Sequence, residues 1–343
     1  MTVAGDFEQT ARARLEPGVF DYFAGGSDDQ VTVNDNHPSW QRVRLRPRVL
    51  RDVSTVDTSA VLLGSPVAAP IAIAPMAAHR LVHDAGECAT AAGAADAGVL
   101  YTVSTLSTRT MEDIADTAPD APRWFQLYVR GDLGRAQALV RRAEEAGYSA
   151  LVVTVDVPTL GLRRHEGVTL DKRVDLPHMP PPERDGDVIY NRHVALTFRD
   201  LATIVSWTRL PVLAKGVMRA DDAASCVRAG CAGVVVSNHG GRQLDTTIDP
   251  PTALAEVAEA VGAVAEIYVD GGVRRGTDVI KAIALGADGV LVGRPIIWGL
   301  AVDGADGVRA VLDELRAELE RAMKLCGARF LEELTPDLVV VSS

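Results

Sequence analysis

A histidine and an arginine lie three positions apart in the segment Ser237–Asp245, which reads Ser-Asn-His-Gly-Gly-Arg-Gln-Leu-Asp. His239 can take up a proton near neutral pH, and Arg242 can hold a carboxylate through two parallel hydrogen bonds. The apolar, β-branched run Gly233–Val236 directly before the segment predicts a buried parallel strand. A base and a cation that follow such a strand predict an active site. Taken alone, the pair is equally compatible with a loop histidine and a solvated charge.

The composition is that of an acidic globular protein. The chain has 343 residues, a formal net charge of −11 and 47% hydrophobic residues, which is ample material for a core. The acidic balance, without a Lys/Arg-rich run, argues against a nucleic-acid partner. The sequence lacks a secretory signal and a run of membrane-spanning length, which predicts a cytoplasmic protein with no membrane partner. No metal site is predicted, because no zinc-type spacing links the four cysteines, Cys88, Cys226, Cys231 and Cys326.

Eight short apolar runs alternate with alanine-rich amphipathic segments over most of the chain. This alternation predicts an α/β fold with a parallel sheet and crossover helices. Eight such units in series predict a closed (β/α)8 TIM barrel. The predicted strands are Ile71–Ala74, Val99–Val103, Trp124–Val129, Ala150–Val155, Val212–Ala214, Val234–Val236, Ile267–Val269 and Val290–Val292.

We expect residues 1–343 to form a single domain in three parts. Residues 1–69 do not follow the barrel rhythm and are interpreted as an N-terminal helical extension that caps the barrel. Residues 70–300 form the predicted barrel, and residues 301–343 a C-terminal helix and tail.

Four segments outside the predicted strands are predicted to be two helices and two irregular stretches. Phe7–Phe23 is predicted to be a helix, and Trp40–Leu63 is basic, proline-containing and irregular. The closing helix is predicted over Gly307–Leu325. A second irregular stretch begins at Gly161, follows the fourth strand and ends near Asn191, which suggests a lid at the C-terminal face of the barrel.

Polar residues follow nearly every predicted strand. Because the strands of a barrel end at one rim, these residues predict one large polar site. Arg274 and Arg294, with glycines beside them, match the place where barrels commonly bind phosphate. The sequence has neither a dinucleotide fingerprint nor a Walker loop, so the phosphate is assigned to a mononucleotide cofactor or a phosphorylated substrate. The strand-end residues are Ala74–Ala77, Ser104, Gln126, Tyr128, Thr154, Asp156, Lys215, Ser237–Arg242, Asp270–Gly272 and Gly293–Arg294.

The segment Ser237–Asp245 resembles the active-site signature of the FMN-dependent α-hydroxy-acid oxidases and dehydrogenases. The resemblance implies a (β/α)8 barrel that binds FMN at its C-terminal face and oxidises an (S)-2-hydroxy acid to the 2-oxo acid. It also implies oxygen as electron acceptor, with hydrogen peroxide as product, and a homotetramer. Further matching motifs cover nearly the whole chain: Phe20-Asp-Tyr22, Ile73-Ala-Pro75, Phe125-Gln-Leu-Tyr128, Thr154-Val-Asp156, Lys215-Gly216, Asp270-Gly-Gly-Val-Arg-Arg-Gly276 and Gly293-Arg-Pro295.

The resemblance also implies residue roles. His239 would be the base and Asp156 its partner. Arg242 and Arg163 would hold the substrate carboxylate. Tyr22 and Tyr128 would hydrogen-bond the substrate, with Tyr128 counted among the catalytic residues. The implied cofactor-binding residues are Ala74, Pro75, Met76, Ala77, Ser104, Gln126, Thr154, Lys215, Ser237, Asp270, Gly271, Gly272, Arg274, Gly293 and Arg294.

Three features depart from the family pattern, one of which is a loop after strand four that is shorter than usual. The usual Gly-Arg-Arg after strand four becomes Gly161-Leu-Arg-Arg164, so Arg164 competes with Arg163 for the carboxylate. Leu106 stands where glycolate-oxidising members have a bulky aromatic residue. The smaller side chain and the string Ser104-Thr-Leu-Ser107 are more similar to hydroxymandelate-oxidising members and favour a larger, mandelate-like substrate.

Four alternatives remain open at the level of the sequence. The acceptor could be one other than oxygen, which would make the protein a dehydrogenase. The substrate could be of the lactate or glycolate type. Two remoter alternatives are an FMN-barrel isomerase and a non-catalytic FMN-binding protein, since a fold alone does not define an activity.

Overall fold

The computed structural model describes residues 3–130, 133–164, 173–179 and 196–341. Most of the predicted lid between Gly161 and Asn191 therefore lies outside the described residues. Within the described ranges, no helix combines the length and the apolar character needed to cross a bilayer.

The N-terminal extension contains three helices and three short strands. The predicted single helix over Phe7–Phe23 is wrong, because the chain is extended at Glu16 and Pro17 then starts a new helix. A helix after residue 30 was not predicted, and it takes in the start of the stretch Trp40–Leu63. The elements are α1 (Val3–Arg14), α2 (Pro17–Ala24), α3 (Val31–Arg42), β1 (Val43–Leu45), β2 (Ala60–Leu62) and β3 (Ser65–Val67).

Eight parallel strands close into a barrel, as the alternation predicted. Each strand pairs in parallel with the next along the chain, and the last pairs with the first to close the ring. The strands are β4 (Ile71–Ile73), β5 (Leu100–Ser104), β6 (Arg123–Leu127), β7 (Ala150–Thr154), β8 (Val212–Val217), β9 (Gly233–Val236), β10 (Glu266–Val269) and β11 (Gly289–Val292).

The helices follow the strands and cover the outside of the barrel. Outward strand residues and helix residues form one continuous buried apolar cluster, which is the main core of the molecule. These helices are α4 (Glu87–Asp96), α5 (Met111–Thr117), α6 (Leu133–Glu145), α7 (Phe198–Val205), α8 (Ala220–Arg228), α9 (Pro250–Val261), α10 (Gly276–Ala284) and α11 (Arg294–Cys326), and β12 (Val339–Val341) follows and pairs with β1.

The closing helix α11 begins well before the predicted start at Gly307. Asp303 and Gly304 have non-helical backbone angles and divide it into two parts, and the predicted helix Gly307–Leu325 corresponds to the second part. The first part packs on the N-terminal extension, where the ring of Trp298 stacks on Phe20 with centroids 4.7 Å apart. This contact fixes the extension beside the C-terminal rim. The division of the chain at residues 69 and 300 stays a prediction.

The inside of the barrel is filled by apolar side chains at alternate strand positions. Trp124 of β6 meets Tyr268 of β10 edge to face across the interior, with ring centroids 5.1 Å apart. Leu62 of the β2–β3 hairpin packs into the same cluster, and the amide of Leu63 donates to the Glu266 carboxylate at the start of β10. The hairpin therefore closes the N-terminal end of the barrel and leaves the C-terminal end as the open one.

Candidate active site

The inward alternation continues past the apolar layers into a polar row at the C-terminal ends of β5, β6 and β7. Ser104 Oγ donates to Gln126 Oε1 at 3.1 Å, and Gln126 Nε2 donates to Thr154 Oγ1 at 2.9 Å. All three side chains are buried. The row therefore presents fixed hydrogen-bonding groups from three neighbouring strands, because each partner locks the orientation of the next.

Lys215 lies at the next inward position, on β8. Its ammonium is 2.9 Å from Asp270 Oδ2 and donates to Ser237 Oγ at 2.8 Å. Burial disfavours the charged form, but Asp270 and then Asp156 outweigh burial and hold the pKa of Lys215 above its ordinary value. The site therefore contains a permanent buried positive charge at the end of β8.

His239 is oriented by a carboxylate and a phenol. Its Nδ1 lies 3.0 Å from Asp156 Oδ1, and its Nε2 lies 3.2 Å from the Tyr128 hydroxyl. Burial raises the pKa of Asp156, but the charge and hydrogen bond of His239, with Lys215, outweigh it and lower that pKa below its ordinary value. Since an ionised carboxylate only accepts hydrogen bonds, Nδ1 donates to Asp156, and in the neutral ring the lone pair is on Nε2.

Tyr128 stays a neutral phenol. Burial, reinforced by the charge of Asp156, raises the pKa of its hydroxyl. The hydroxyl can therefore donate to the lone pair on His239 Nε2. The arrangement leaves a basic nitrogen in the cavity next to a hydrogen-bond donor, as general base chemistry requires.

A glycine makes room for Asp156 beside His239. Gly216 has a φ of +102°, and a Cβ at that position would lie 2.2 Å from Asp156 Cγ. The ladder between β8 and β9 is irregular at the same point, between Lys215 and Val217. The Lys215-Gly216 pair therefore turns the lysine inward and leaves space for the carboxylate that orients the base.

The N-terminal extension supplies main-chain partners to two arginines of the rim. Arg242 donates to the carbonyls of Tyr22 and Gly25, and its guanidinium lies 5.0 Å from the centre of the Tyr22 ring. Arg294 donates to the carbonyls of Phe23 and Gly25 at 2.8 and 3.0 Å. Residues 22–25 therefore complete the site, which the barrel alone would leave open.

Asp245, the last residue of the Ser237–Asp245 segment, anchors that extension. Its carboxylate accepts from the backbone amides of Asp29, Val31 and Thr32 at the start of α3. Amides at a helix N-terminus lack partners within the helix and favour an anion. The same segment therefore carries the candidate base and holds the capping helix in position.

A cavity of about 420 Å³ opens at the C-terminal rim. It is lined by every predicted site residue except Gln126, Asp156 and Ser237, which lie behind the lining and hold Thr154, His239 and Lys215. The lining members are Tyr22, Ala74, Pro75, Met76, Ala77, Ser104, Leu106, Tyr128, Thr154, Arg163, Lys215, His239, Arg242, Asp270, Gly271, Gly272, Arg274, Gly293 and Arg294.

Arg163 and Arg164, which the sequence left in competition, have different surroundings. Arg163 lines the cavity. Arg164 does not line it; its side chain is 55% exposed and lies 3.8 Å from Asp28 of the extension. Only Arg163 of the two can therefore reach a small molecule in the cavity without rearrangement.

Eight lining residues were not assigned to the site from the sequence: Phe23, Arg130, Val157, Leu160, Gly240, Gln243, Val273 and Leu291. Val157 and Leu160 follow Asp156 and add to the apolar part of the lining. Arg130, two residues after Tyr128, is buried with its guanidinium 5.0 Å from the centre of the Tyr128 ring. Gln243 belongs to the nine-residue segment, yet no role was given to it. The alternation of β6 past its last strand residue could have indicated Arg130, since Gln126 and Tyr128 share its face.

A (β/α)8 barrel with a carboxylate-oriented histidine and several arginines around one cavity defines a cofactor-dependent enzyme with acid–base chemistry at its C-terminal face. A family model described as FMN-dependent dehydrogenase matches residues 11–341. The chain belongs to this family, and its cofactor is FMN.

Relatives and solved structures match over almost the whole length. 2-Hydroxyacid oxidase 2 of Homo sapiens is 43% identical over 342 residues, which cover 98% of this chain and 97% of that protein. L-lactate oxidase of Nostoc sp. is 43% identical over 349 residues, with 96% and 95% covered. A crystal structure of mandelate oxidase with (S)-4-hydroxymandelic acid superposes with a TM-score of 0.91 at 41% identity, over 96% of both chains. These matches confirm the resemblance of Ser237–Asp245 and the other motifs to the FMN-dependent α-hydroxy-acid oxidases and dehydrogenases.

Two regions of the cavity fit a phosphate-bearing cofactor, one around Arg294 and one at Asp270. Arg294 is held by carbonyls alone, and burial together with Arg242 and Arg274 lowers its pKa to about 9, so a nearby dianion would stabilise its charge. Arg294 is also the first residue of α11, so its own backbone amide lies at a helix N-terminus, where an anion is favoured. At the other side, Asp270 Oδ1 is buried without a hydrogen-bond partner in the described part of the chain and can accept from a hydroxyl group.

Replacement of Lys215 by methionine should destabilise the FMN-free protein by about 3–5 kcal/mol, because it leaves the Asp270 carboxylate buried without its cation. Urea unfolding followed by circular dichroism measures the change. The double variant Lys215→Met/Asp270→Asn should recover more than half of the loss. Lys324→Met, which removes an exposed partner of Glu320, is the control and should leave the midpoint nearly unchanged. Equal midpoints for the two single variants would contradict a buried ion pair.

Proposed function

We propose that the protein oxidises an (S)-2-hydroxy acid to the corresponding 2-oxo acid and that oxygen takes up the electrons as hydrogen peroxide. The observation that carries the proposal is the lone pair of His239 Nε2, directed into the cavity by the Nδ1–Asp156 hydrogen bond at 3.0 Å. Arg163 and Arg242 line the same cavity. Together they provide a base and two cations for a small anion that must lose a proton.

The substrate carboxylate binds between Arg163 and Arg242. A guanidinium can donate two parallel hydrogen bonds to a carboxylate, and the low exposure of the cavity strengthens both. Tyr22 and Tyr128 donate hydrogen bonds to the bound acid. This arrangement positions the 2-hydroxy group at His239 Nε2, because the carboxylate and the hydroxyl are on adjacent carbons.

His239 removes a proton from the substrate, and Asp156 stabilises the imidazolium that forms. The Tyr128 hydroxyl, a neutral phenol with a raised pKa, can donate to the substrate in this step, because a protonated Nε2 no longer accepts from it. FMN, when bound, would accept the two electrons that leave C2 together with the second hydrogen of the CH–OH group, which becomes the carbonyl of the 2-oxo acid. Lys215 provides a positive charge close to the cofactor ring, which favours the reduced state.

The remaining rim residues hold the cofactor. Arg274 and Arg294, with the backbone amide of Arg294 at the start of α11, would bind its phosphate, and Asp270 would accept from the ribityl chain. The polar row of Ser104, Gln126 and Thr154, fixed by hydrogen bonds of 2.9 to 3.1 Å, binds the edge of the isoalloxazine. The peptide groups around Ala74–Ala77 and the glycines Gly271, Gly272 and Gly293 pack against it, and Ser237 acts through Lys215.

The favoured substrate is a 2-hydroxy acid with an aromatic substituent of the mandelate type. Leu106, Val157 and Leu160 form an apolar wall of the cavity, and the structure of mandelate oxidase contains (S)-4-hydroxymandelic acid. L-lactate oxidase of Nostoc sp. has similar identity, so a lactate-type substrate is the second candidate. We also propose a cytoplasmic homotetramer, on the family resemblance, and a dehydrogenase with another acceptor is the alternative to the oxidase.

Replacement of His239 by glutamine should slow flavin reduction by about 10²- to 10⁴-fold, since glutamine cannot take up the proton. The rate is measured as the anaerobic loss of flavin absorbance after mixing with (S)-mandelate. His83→Gln, outside the cavity, is the control and should retain the wild-type rate. A His239→Gln protein that keeps FMN and bleaches as fast as the wild type would refute the base assignment, and slow reoxidation of the wild type in air would favour the dehydrogenase.

Arg163→Met should raise KM for the 2-hydroxy acid by about 10- to 100-fold, because a charged hydrogen bond to the carboxylate is lost. Arg164→Met is the matched neighbour and should leave KM almost unchanged, since Arg164 is exposed beside Asp28. Steady-state kinetics with one substrate at several concentrations separates KM from kcat. The reverse pattern would assign the carboxylate to Arg164.

Leu106→Trp should lower kcat/KM for (S)-mandelate relative to (S)-lactate by about 10-fold or more, because the added ring fills the space of the substrate substituent. The ratio is measured with both substrates on the same preparation. Leu325→Trp, at an exposed position outside the cavity, should leave the ratio unchanged. An unaltered ratio in Leu106→Trp would mean that the substituent does not lie beside this residue.

A further inference from the structure

Gln243 uses its whole amide group on one neighbouring segment. Its Nε2 donates to the carbonyls of Asp156 and Thr159, both at 2.9 Å. Its Oε1 accepts from the backbone amide of Gly161 at 3.1 Å. Both amide hydrogens and the carbonyl oxygen are thus engaged, so the orientation of the side chain is determined.

The segment 156–161 depends on these contacts. Among the described residues, every hydrogen bond made by its main chain after the end of β7 is to Gln243. A loop whose backbone groups have one source of partners is held by that source. No other described side chain performs this task for the segment.

A close backbone approach supports the same contact. A Cβ at Gly161 would lie 2.6 Å from the carbonyl oxygen of Arg242 and 2.7 Å from that of Gln243. The segment after β7 therefore lies directly on the backbone of the Ser237–Asp245 segment, and only glycine fits at the point of contact. The Gln243 hydrogen bonds and this contact are at the same junction.

We infer that Gln243 is a positioning residue that holds Asp156 and Arg163 in register with His239 and Arg242. Asp156 begins the held segment, and Arg163 follows its end by two residues. One side of the junction thus carries the orienting carboxylate and one arginine, and the other carries the base and the second arginine. The amide of Gln243 sets their separation.

The inference rests on the proposed function, since it assigns these four residues to one reaction. Loss of the Gln243 hydrogen bonds leaves each group intact and changes only their relative placement. A misplacement of about 1 Å can lower the rate by about 100-fold. FMN retention should not change, because the residues assigned to its phosphate, Arg274 in the loop after β10 and Arg294 at the start of α11, lie outside this junction.

The first experiment measures amide hydrogen exchange of residues 156–164 in FMN-loaded wild type, Gln243→Met and Gln41→Met. Methionine has a similar length and makes none of the three hydrogen bonds. The amide of Gly161 should exchange at least about 10-fold faster in Gln243→Met. Gln41, an exposed residue of α3 whose side-chain amide bonds to His37, is the matched control and should leave this exchange unchanged. Equal protection in all three proteins would overturn the positioning role.

The second experiment uses Gln243→Glu, which keeps the shape but offers only acceptors to two carbonyls when ionised. Its kcat/KM should be about 10- to 100-fold below wild type at neutral pH and should rise toward wild type as the pH falls and the carboxyl gains a proton that it can donate. Gln243→Met should show no such relative rise. Superposable pH profiles for the two variants would overturn the inference.

The two readouts separate the inference from the proposed function. If the wild type turns over no 2-hydroxy acid, the proposed function fails, while faster Gly161 exchange in Gln243→Met would still support the junction. If the wild type is active and exchange is unchanged, the inference fails alone. Should Gln243→Met not fold, the pH profile of Gln243→Glu against wild type decides, because its carboxylate still accepts from the Gly161 amide but cannot donate to the two carbonyls until it is protonated. A profile parallel to that of the wild type would overturn the inference.

Discussion

The site depends on a geometric constraint, namely that eight parallel strands with alternating inward side chains are closed into one ring. Every second residue must point to the axis, so the last inward residue of each strand faces one small volume. Apolar side chains fill the lower layers, and Ser104, Gln126, Thr154, Lys215 and Asp270 occupy the top one. The polar groups are costly to bury and are stable there because each has a polar partner at the end of another strand.

Buried charge is the second organising feature. Lys215 has carboxylates near it, and their attraction outweighs the burial that would discharge it. Arg294 donates to carbonyls, and its burial together with Arg242 and Arg274 outweighs the attraction of Glu8 and Asp270, so its pKa falls to about 9. The contrast divides the cavity into a neutralised region beside the base and an electropositive region at the start of α11, where an anionic group of FMN gains the most.

The N-terminal extension is part of the site as well as a cap. Its carbonyls at residues 22–25 hold two arginines, and Asp245 returns the contact by holding the start of α3. Gln243 adds a link to the segment after β7. Asp245 and Gln243 thus connect the segment that carries His239 to the N-terminal extension and to the segment after β7. The sequence match of Ser237–Asp245 therefore reflects packing as well as chemistry.

The sequence by itself determined the eight strands, the rim and the cofactor class, because strand periodicity and short motifs are local properties. It did not reveal the break at Pro17, the helix α3, or the start of α11 at Arg294, since these depend on contacts between the extension and the barrel. The tertiary structure alone decided that Arg163 lines the cavity while Arg164 faces Asp28. It also brought Asp156 to His239, 83 positions away, and gave Gln243 its partners. Distances between residues remote in the chain are set by closure of the barrel, which no local pattern encodes.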